Sequence, residues 1–133
     1  MKKLLVTGGA GFIGSNFVHY WKEKYPSDLV VVLDALTYAG NIESLNIVKD
    51  SENYEFVHGN ICDQDLVEKL LQKHDICTIV HFAAESHVDR SITGPDEFIE
   101  TNIIGTYSLL KAFPFYTSDA ADDLLSVYLV HIC

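Results

Sequence analysis

The chain has 133 residues, close to one ordinary domain, and its 19 Asp+Glu against 9 Lys+Arg leave a formal net charge of −10. That balance excludes a basic surface for nucleic acid or anionic membrane, and an apolar share of 48% excludes a disordered acidic tail. The longest apolar runs are strand-sized and the apolar stretch before Thr7 is too short for a signal peptide, so the reading is a cytoplasmic protein without a membrane span.

Strand-like and helix-like segments alternate along the chain. Lys3 to Thr7 is a short apolar run ending in glycines, as a buried parallel strand requires. Phe12 to Lys24 places Phe17, Val18 and Trp21 at helical spacing, and Tyr25-Pro26-Ser27 stops it. Leu29 to Leu33 is a second strand, closed by Asp34, and Ala35 to Asn41 is a loop. The pattern then predicts a short helix over Ile42 to Val48, a third strand over Tyr54 to Val57 and a helix over Gln64 to Lys73. Cys77 to Phe82 is a fourth strand, Pro95 to Ala112 a long helix, Pro114 to Asp123 a loop, and Ser126 to Ile132 a fifth strand. Strands joined by helical crossovers imply an α/β fold, a doubly wound parallel sheet of Rossmann type in the order 3-2-1-4-5. Its ligand cleft is expected outside the carboxyl ends of strands 1 and 4, where the order reverses. The chain ends just past an apolar strand with no helix to cover it, which reads as a fold truncated after strand 5.

The unusual loops follow the strands. Gly8, Gly11 and Gly14 form a GxxGxxG turn between a strand and a helix. Such a turn brings the backbone close to a pyrophosphate and aims the helix N-terminus, with its free N–H groups and partial positive charge, at the phosphates. Asp34 closes the second strand 20 residues beyond Gly14. A carboxylate there accepts from the ribose hydroxyls and repels a 2′-phosphate, and no Arg follows it, so the expected cofactor is NAD rather than NADP. The bland alternative is a structural glycine turn with a loop aspartate. Cys62, Cys77 and Cys133 form no CxxC pair and read as reduced thiols, and the six histidines show no metal-ligand spacing.

Several runs carry a family resemblance: Val6-Thr-Gly-Gly-Ala-Gly-Phe-Ile-Gly14, Asp34-Ala-Leu-Thr-Tyr-Ala-Gly-Asn41, Asn60-Ile-Cys-Asp63, His81-Phe-Ala-Ala-Glu-Ser-His-Val-Asp-Arg-Ser91 and Glu100-Thr-Asn-Ile-Ile-Gly-Thr106. With them the chain resembles the N-terminal part of the extended short-chain dehydrogenase/reductases, in their NAD-dependent epimerase/dehydratase branch. Within that branch it is most similar to the dTDP-glucose 4,6-dehydratase family. The likeness is close from Met1 to about Ala112 and loosens after it.

The resemblance implies that Phe12 and Ile13 meet the pyrophosphate, that Asp34, Leu36 and Thr37 surround the adenosine, and that Asn60 and Ile61 border the adenine. Phe82, Ala83, Ala84 and Ser86 would line the nicotinamide side, with Ser86 also reaching substrate, and Thr101 would complete the cofactor site. Asn60 stands where the family often has Asp, and its carbonyl oxygen retains the acceptor role. The implied parent activity is a lyase with an internal redox cycle on a nucleotide-glucose, dTDP-glucose. Oxidation at C4 acidifies the C5 proton, water leaves across C5 and C6, and hydride returns to C6. A homodimer built on two helices per subunit, Pro95 to Ala112 being one, is also implied.

Catalysis in that family uses a Tyr-x-x-x-Lys pair, and this chain has two such strings, Tyr20 to Lys24 and Tyr107 to Lys111. Neither stands where the family's pair does, after the fifth strand, where a Thr-Asp-Glu run also lies. His87, Asp89 and Arg90 read as a self-satisfying polar loop ahead of an acid–base constellation. No catalytic residue is therefore expected in this chain. Another sugar-nucleotide epimerase or dehydratase, and a non-catalytic NAD-binding truncation product, stay open as alternatives.

Overall fold

A computed structural model describes residues 1–36 and 40–82, together with the backbone of residues 126–129. The strands are β1 (Lys3–Thr7), β2 (Leu29–Asp34), β3 (Tyr54–His58), β4 (Thr78–His81) and β5 (Ser126–Leu129); the helices are α1 (Phe12–Lys24) and α2 (Gln64–His74). All five strands are parallel and lie in the order β3-β2-β1-β4-β5, as the alternation of elements predicts. The sheet is the Rossmann-type doubly wound arrangement. The expected helix over Pro95 to Ala112 and loop over Pro114 to Asp123 lie outside the described residues.

The strands read as unbroken apolar runs because the sheet buries both faces. Leu5 of β1, Val31 and Leu33 of β2 and Ile79 of β4 pack with Val67, Leu70 and Leu71 of α2. The alternate residues Leu4, Val6, Val30, Val32 and Val80 pack on the other face with Val18 of α1 and with Leu45 and Val48. Full burial of each such side chain contributes roughly 1.5–3 kcal/mol, so the two-sided core dominates the stability of this part of the chain.

β2, β3 and α2 each run one residue past the expected end, and two further elements differ more from the pattern-based expectation. Ile42 to Val48 is not one helical segment: a 3-10 helix covers Ile42–Leu45 and turns follow it. Leu45 and Val48, the buried residues there, are three apart, and the Asn46 N–H bonds to Glu43 O and the Val48 N–H to Leu45 O. That spacing suits i→i+3 bonding and leaves little gain from a 3.6-residue period. β4 is also shorter than predicted. Cys77 N–H still bonds to Lys3 O and Phe82 N–H to Thr7 O, so the flanking residues continue the hydrogen bonding without counting as strand.

Register aligns the carboxyl ends of the strands. Thr7 pairs with Leu33 on one side and His81 on the other, and Asp34 pairs with His58. The residues following β1, β2, β3 and β4 therefore emerge at one end of the sheet.

Candidate dinucleotide site

The turn after β1 is shaped by backbone crowding. Gly8 has φ 70, a conformation that side chains disfavour, and its N–H bonds to Leu33 O at 2.9 Å. A Cβ on Gly14 would lie 2.2 Å from Gly8 O and one on Gly9 2.6 Å from Val32 Cγ1. Packing thus makes Gly9 and Gly14 the tight positions. Gly9 was not among the three glycines singled out by the spacing. At Gly11 a Cβ would meet only Gly8 O, at an ordinary 3.4 Å, so its lack of a side chain is not needed for this packing.

α1 begins at Gly11 with no side-chain cap and no acidic residue in its first turn. Its opening N–H groups have no intrahelical partner, as at any helix start, and no side chain supplies one. Phe12, the first helical residue, is 82% exposed. α2 starts differently: Asp63 accepts from the Leu66 N–H at 3.2 Å and Asp65 stands in the first turn.

Asp34 sits beside the glycine turn and is 8% exposed. Its Oδ2 accepts from the Ala10 N–H at 2.9 Å and its Oδ1 from the Leu36 N–H at 2.8 Å. The carboxylate therefore joins the phosphate-type loop to the end of β2, a role that spacing alone did not indicate. Each oxygen keeps acceptor capacity for a further donor. Asn41 N–H bonds to Ala10 O at 3.1 Å, so the chain after β2 returns onto the same loop. Leu36, with φ 53, makes the turn between them.

The other expected site residues fall into distinct environments. Asn60 is exposed, and its Oδ1 accepts from the Cys62 N–H at 2.9 Å, leaving a lone pair and its amide group. Ile61 is 4% exposed and packs in the core under α2, so only its backbone is offered to a ligand. Phe82 packs its ring 5.4 Å from that of Phe17, as strand-end packing requires. Thr37, Ala83, Ala84, Ser86 and Thr101 lie outside the described residues, as do His87, Asp89, Arg90, Tyr107 and Lys111.

Sequence reasoning also missed a buried link across the switch point. Thr7 Oγ1 and His81 Nδ1 lie 2.5 Å apart, joining the ends of β1 and β4. Alternation along the strands gives both residues buried positions, but nothing in their spacing reveals that they meet. Lys24 Nζ donates to Tyr20 Oη at 3.0 Å on the exposed face of α1, and that bond raises the lysine pKa. The pair lies near the end of α1 opposite the glycine turn, which removes it from any chemistry at the site. Among the described residues no helix is long and apolar enough to cross a membrane, and no three His, Cys, Asp or Glu side chains form a metal cluster.

An uncapped helix start in a glycine cradle, next to a carboxylate at the end of β2, fits a dinucleotide: the first receives phosphate charge and the second accepts ribose hydroxyls. Comparison with known proteins points the same way. The dTDP-glucose 4,6-dehydratase of Shigella flexneri is 52% identical over 129 residues, covering 97% of this chain and 36% of that protein. The crystal structure of the Bacillus anthracis str. Ames dTDP-glucose 4,6-dehydratase in complex with NAD superposes with a TM-score of 0.82 at 38% identity, covering 97% of this chain and 37% of that one. DesIV, a dTDP-glucose 4,6-dehydratase from Streptomyces venezuelae with NAD and TYD bound, gives 0.79 at 51% identity, covering 86% and 36%. The chain thus spans about a third of the length of the relatives it matches. The profile of the family described as GDP-mannose 4,6 dehydratase matches residues 5–126, and the chain belongs to that family.

Proposed function

We propose that this chain is the N-terminal, NAD-binding part of a dTDP-glucose 4,6-dehydratase. Residues 1–133 would form an incomplete NAD-binding Rossmann domain, its catalytic helix and substrate lobe belonging to a later part of the parent. The observation that carries the reading is the juxtaposition of the uncapped α1 start with the Asp34 carboxylate, bridged by Ala10 N–H.

In this reading Gly8, Gly11 and Gly14 let the backbone approach the pyrophosphate, and the N–H groups of Phe12 and Ile13 donate to it. Asp34 accepts from the 2′- and 3′-hydroxyls of the adenosine ribose through the lone pairs that Ala10 and Leu36 leave free, and its charge repels a 2′-phosphate. Leu36 and Thr37 flank the adenosine, and Asn60 with the Ile61 backbone borders the adenine. Phe82, Ala83, Ala84, Ser86 and Thr101 complete the nicotinamide side, Ser86 also reaching the nucleotide sugar. When bound, NAD supplies the reversible hydride transfer that net dehydration of a nucleotide-linked glucose requires.

The parent would be a cytoplasmic, homodimeric lyase of carbohydrate biosynthesis acting on dTDP-glucose, with no nucleic-acid or membrane partner. No residue of this chain is assigned a catalytic role, and the 133 residues alone are expected to leave dTDP-glucose unconverted. Calorimetric titration of the chain with NAD tests the cofactor assignment. Saturable binding that Asp34→Ala weakens supports it, and a folded chain with no heat of binding refutes it.

A further inference from the structure

Asp34 is held from two sides, by Ala10 N–H on Oδ2 and Leu36 N–H on Oδ1. A third neighbour constrains it by having no side chain. A Cβ on Gly40 would lie 2.9 Å from Asp34 Oδ1, 3.6 Å from its Cγ and 3.2 Å from Leu36 Cα. It would press at once on the carboxylate and on the residue that donates to it. Neither neighbour yields cheaply, because one is backbone and the other is tied by two charge-assisted bonds. Gly40 cannot swing away easily either: the next residue, Asn41, gives its N–H to Ala10 O at 3.1 Å and accepts from the Glu43 N–H on its Oδ1 at 3.0 Å. What the glycine supplies here is the space that a Cβ would fill.

We infer that Gly40 is a positioning residue for Asp34, fixing the orientation in which the carboxylate meets the ribose hydroxyls and thereby the preference for NAD over NADP. The inference rests on the cofactor reading above. With a methyl group at this position the carboxylate turns, at least one of its two backbone bonds lengthens, and the acceptor geometry for the ribose is lost. The same rotation moves negative charge away from the 2′ position, so discrimination against NADP narrows as NAD binding weakens. A glycine that served stability alone would lower both affinities together and leave their ratio unchanged.

The test measures NAD and NADP affinities and thermal midpoints for the 133-residue chain and its Gly40→Ala, Asp34→Ala and doubly substituted forms. Loss of a charge-assisted bond predicts roughly a 10- to 100-fold loss of NAD affinity for Asp34→Ala and about 10-fold for Gly40→Ala. The NAD/NADP ratio falls in Gly40→Ala, and the double variant binds no more weakly than Asp34→Ala, because the second change has nothing left to displace. An unmoved ratio, or losses that add in full, overturns the inference. Should Gly40→Ala alone fail to fold, the double variant decides: restored folding on removal of the carboxylate supports the contact, and unfolding in both backgrounds overturns it. A wild-type chain that binds no NAD sinks the cofactor reading and this one with it, whereas wild-type binding with an unmoved ratio sinks this one alone.

Discussion

The two ends of the sheet are finished in opposite ways. At the amino end, two buried charged groups are answered from within the fold. Lys22, 6% exposed, donates its ammonium to the carbonyls of Pro26, Asp28, Glu52 and Asn53, and the Asp28 carboxylate accepts from Lys2 N–H and Trp21 Nε1. At the carboxyl end α1 starts without a side-chain cap and shows Phe12 to solvent, while α2, beginning at the same end, is capped by Asp63. A helix start costs little to cap, so the contrast between α1 and α2 agrees with the proposal that a ligand completes the first. The amino end holds the sheet together; in the proposed reading the carboxyl end receives a phosphate and a ribose.

The largest effect expected from breaking this division is at Gly14. A methyl group there would collide with Gly8 O at 2.2 Å, and the loop must move whatever helix propensity the alanine gains. Calorimetry on Gly14→Ala should show NAD affinity reduced about 100-fold or more, with a stability loss of roughly 1–3 kcal/mol from overpacking. At the opposite end Lys22→Met should cost about 3 kcal/mol in urea denaturation, since the carbonyls of Pro26, Asp28 and Glu52 lose the ammonium as donor and Asn53 O keeps only the Val30 N–H, while NAD affinity of the folded fraction stays unchanged.

Alkaline pH sharpens the same contrast. Burial pushes the Tyr54 phenol, at the start of β3, up to about 12. A group whose pKa is raised on folding contributes stability that is present below its unfolded value, near 10, and is lost as pH rises through its folded value. Lys22 acts with the opposite sign: burial lowers its pKa against the pull of Asp28, so stability rises with pH between its folded and unfolded values. Comparing wild type with Tyr54→Phe isolates the tyrosine. The wild type should lose about 1–2 kcal/mol more than the variant between pH 9.5 and pH 12, after discount for solvent screening of a partly buried side chain. The smallest effect is at the capped helix. Asp63→Ala should lower stability by about 1 kcal/mol in thermal melts and leave NAD binding untouched, because α2 offers the ligand nothing.

Much of this was legible in the residues. The order β3-β2-β1-β4-β5 followed from the alternation of strands and crossovers, since handedness and two-sided burial leave few other arrangements. The glycine turn and Asp34 were legible because strained backbone and a strand-end carboxylate leave a fixed spacing. What spacing does not carry is contact between side chain and backbone. It did not show that Asp34 is tied to Ala10 and Leu36, that Gly9 faces Val32, or that Thr7 meets His81. Nor did it reveal that Lys22 turns inward, since a lysine four residues after Val18 reads as well on the polar flank of α1 as beneath it. Ile61 shows the reverse limit: a residue expected to border adenine places its side chain in the core, and the family motif speaks only for its backbone.

In the proposed reading the two helix starts at the carboxyl end differ in function, one open to a ligand and the other closed by its own aspartate. Amide chemical shifts of the isotopically labelled chain, followed during titration with NAD, test it most directly. Large, saturable shifts are expected at Phe12, Ile13 and Gly14, with Gln64, Asp65 and Leu66 unmoved. Shifts of equal size at both helix starts, or none at Phe12 to Gly14 while NAD binds, would contradict it.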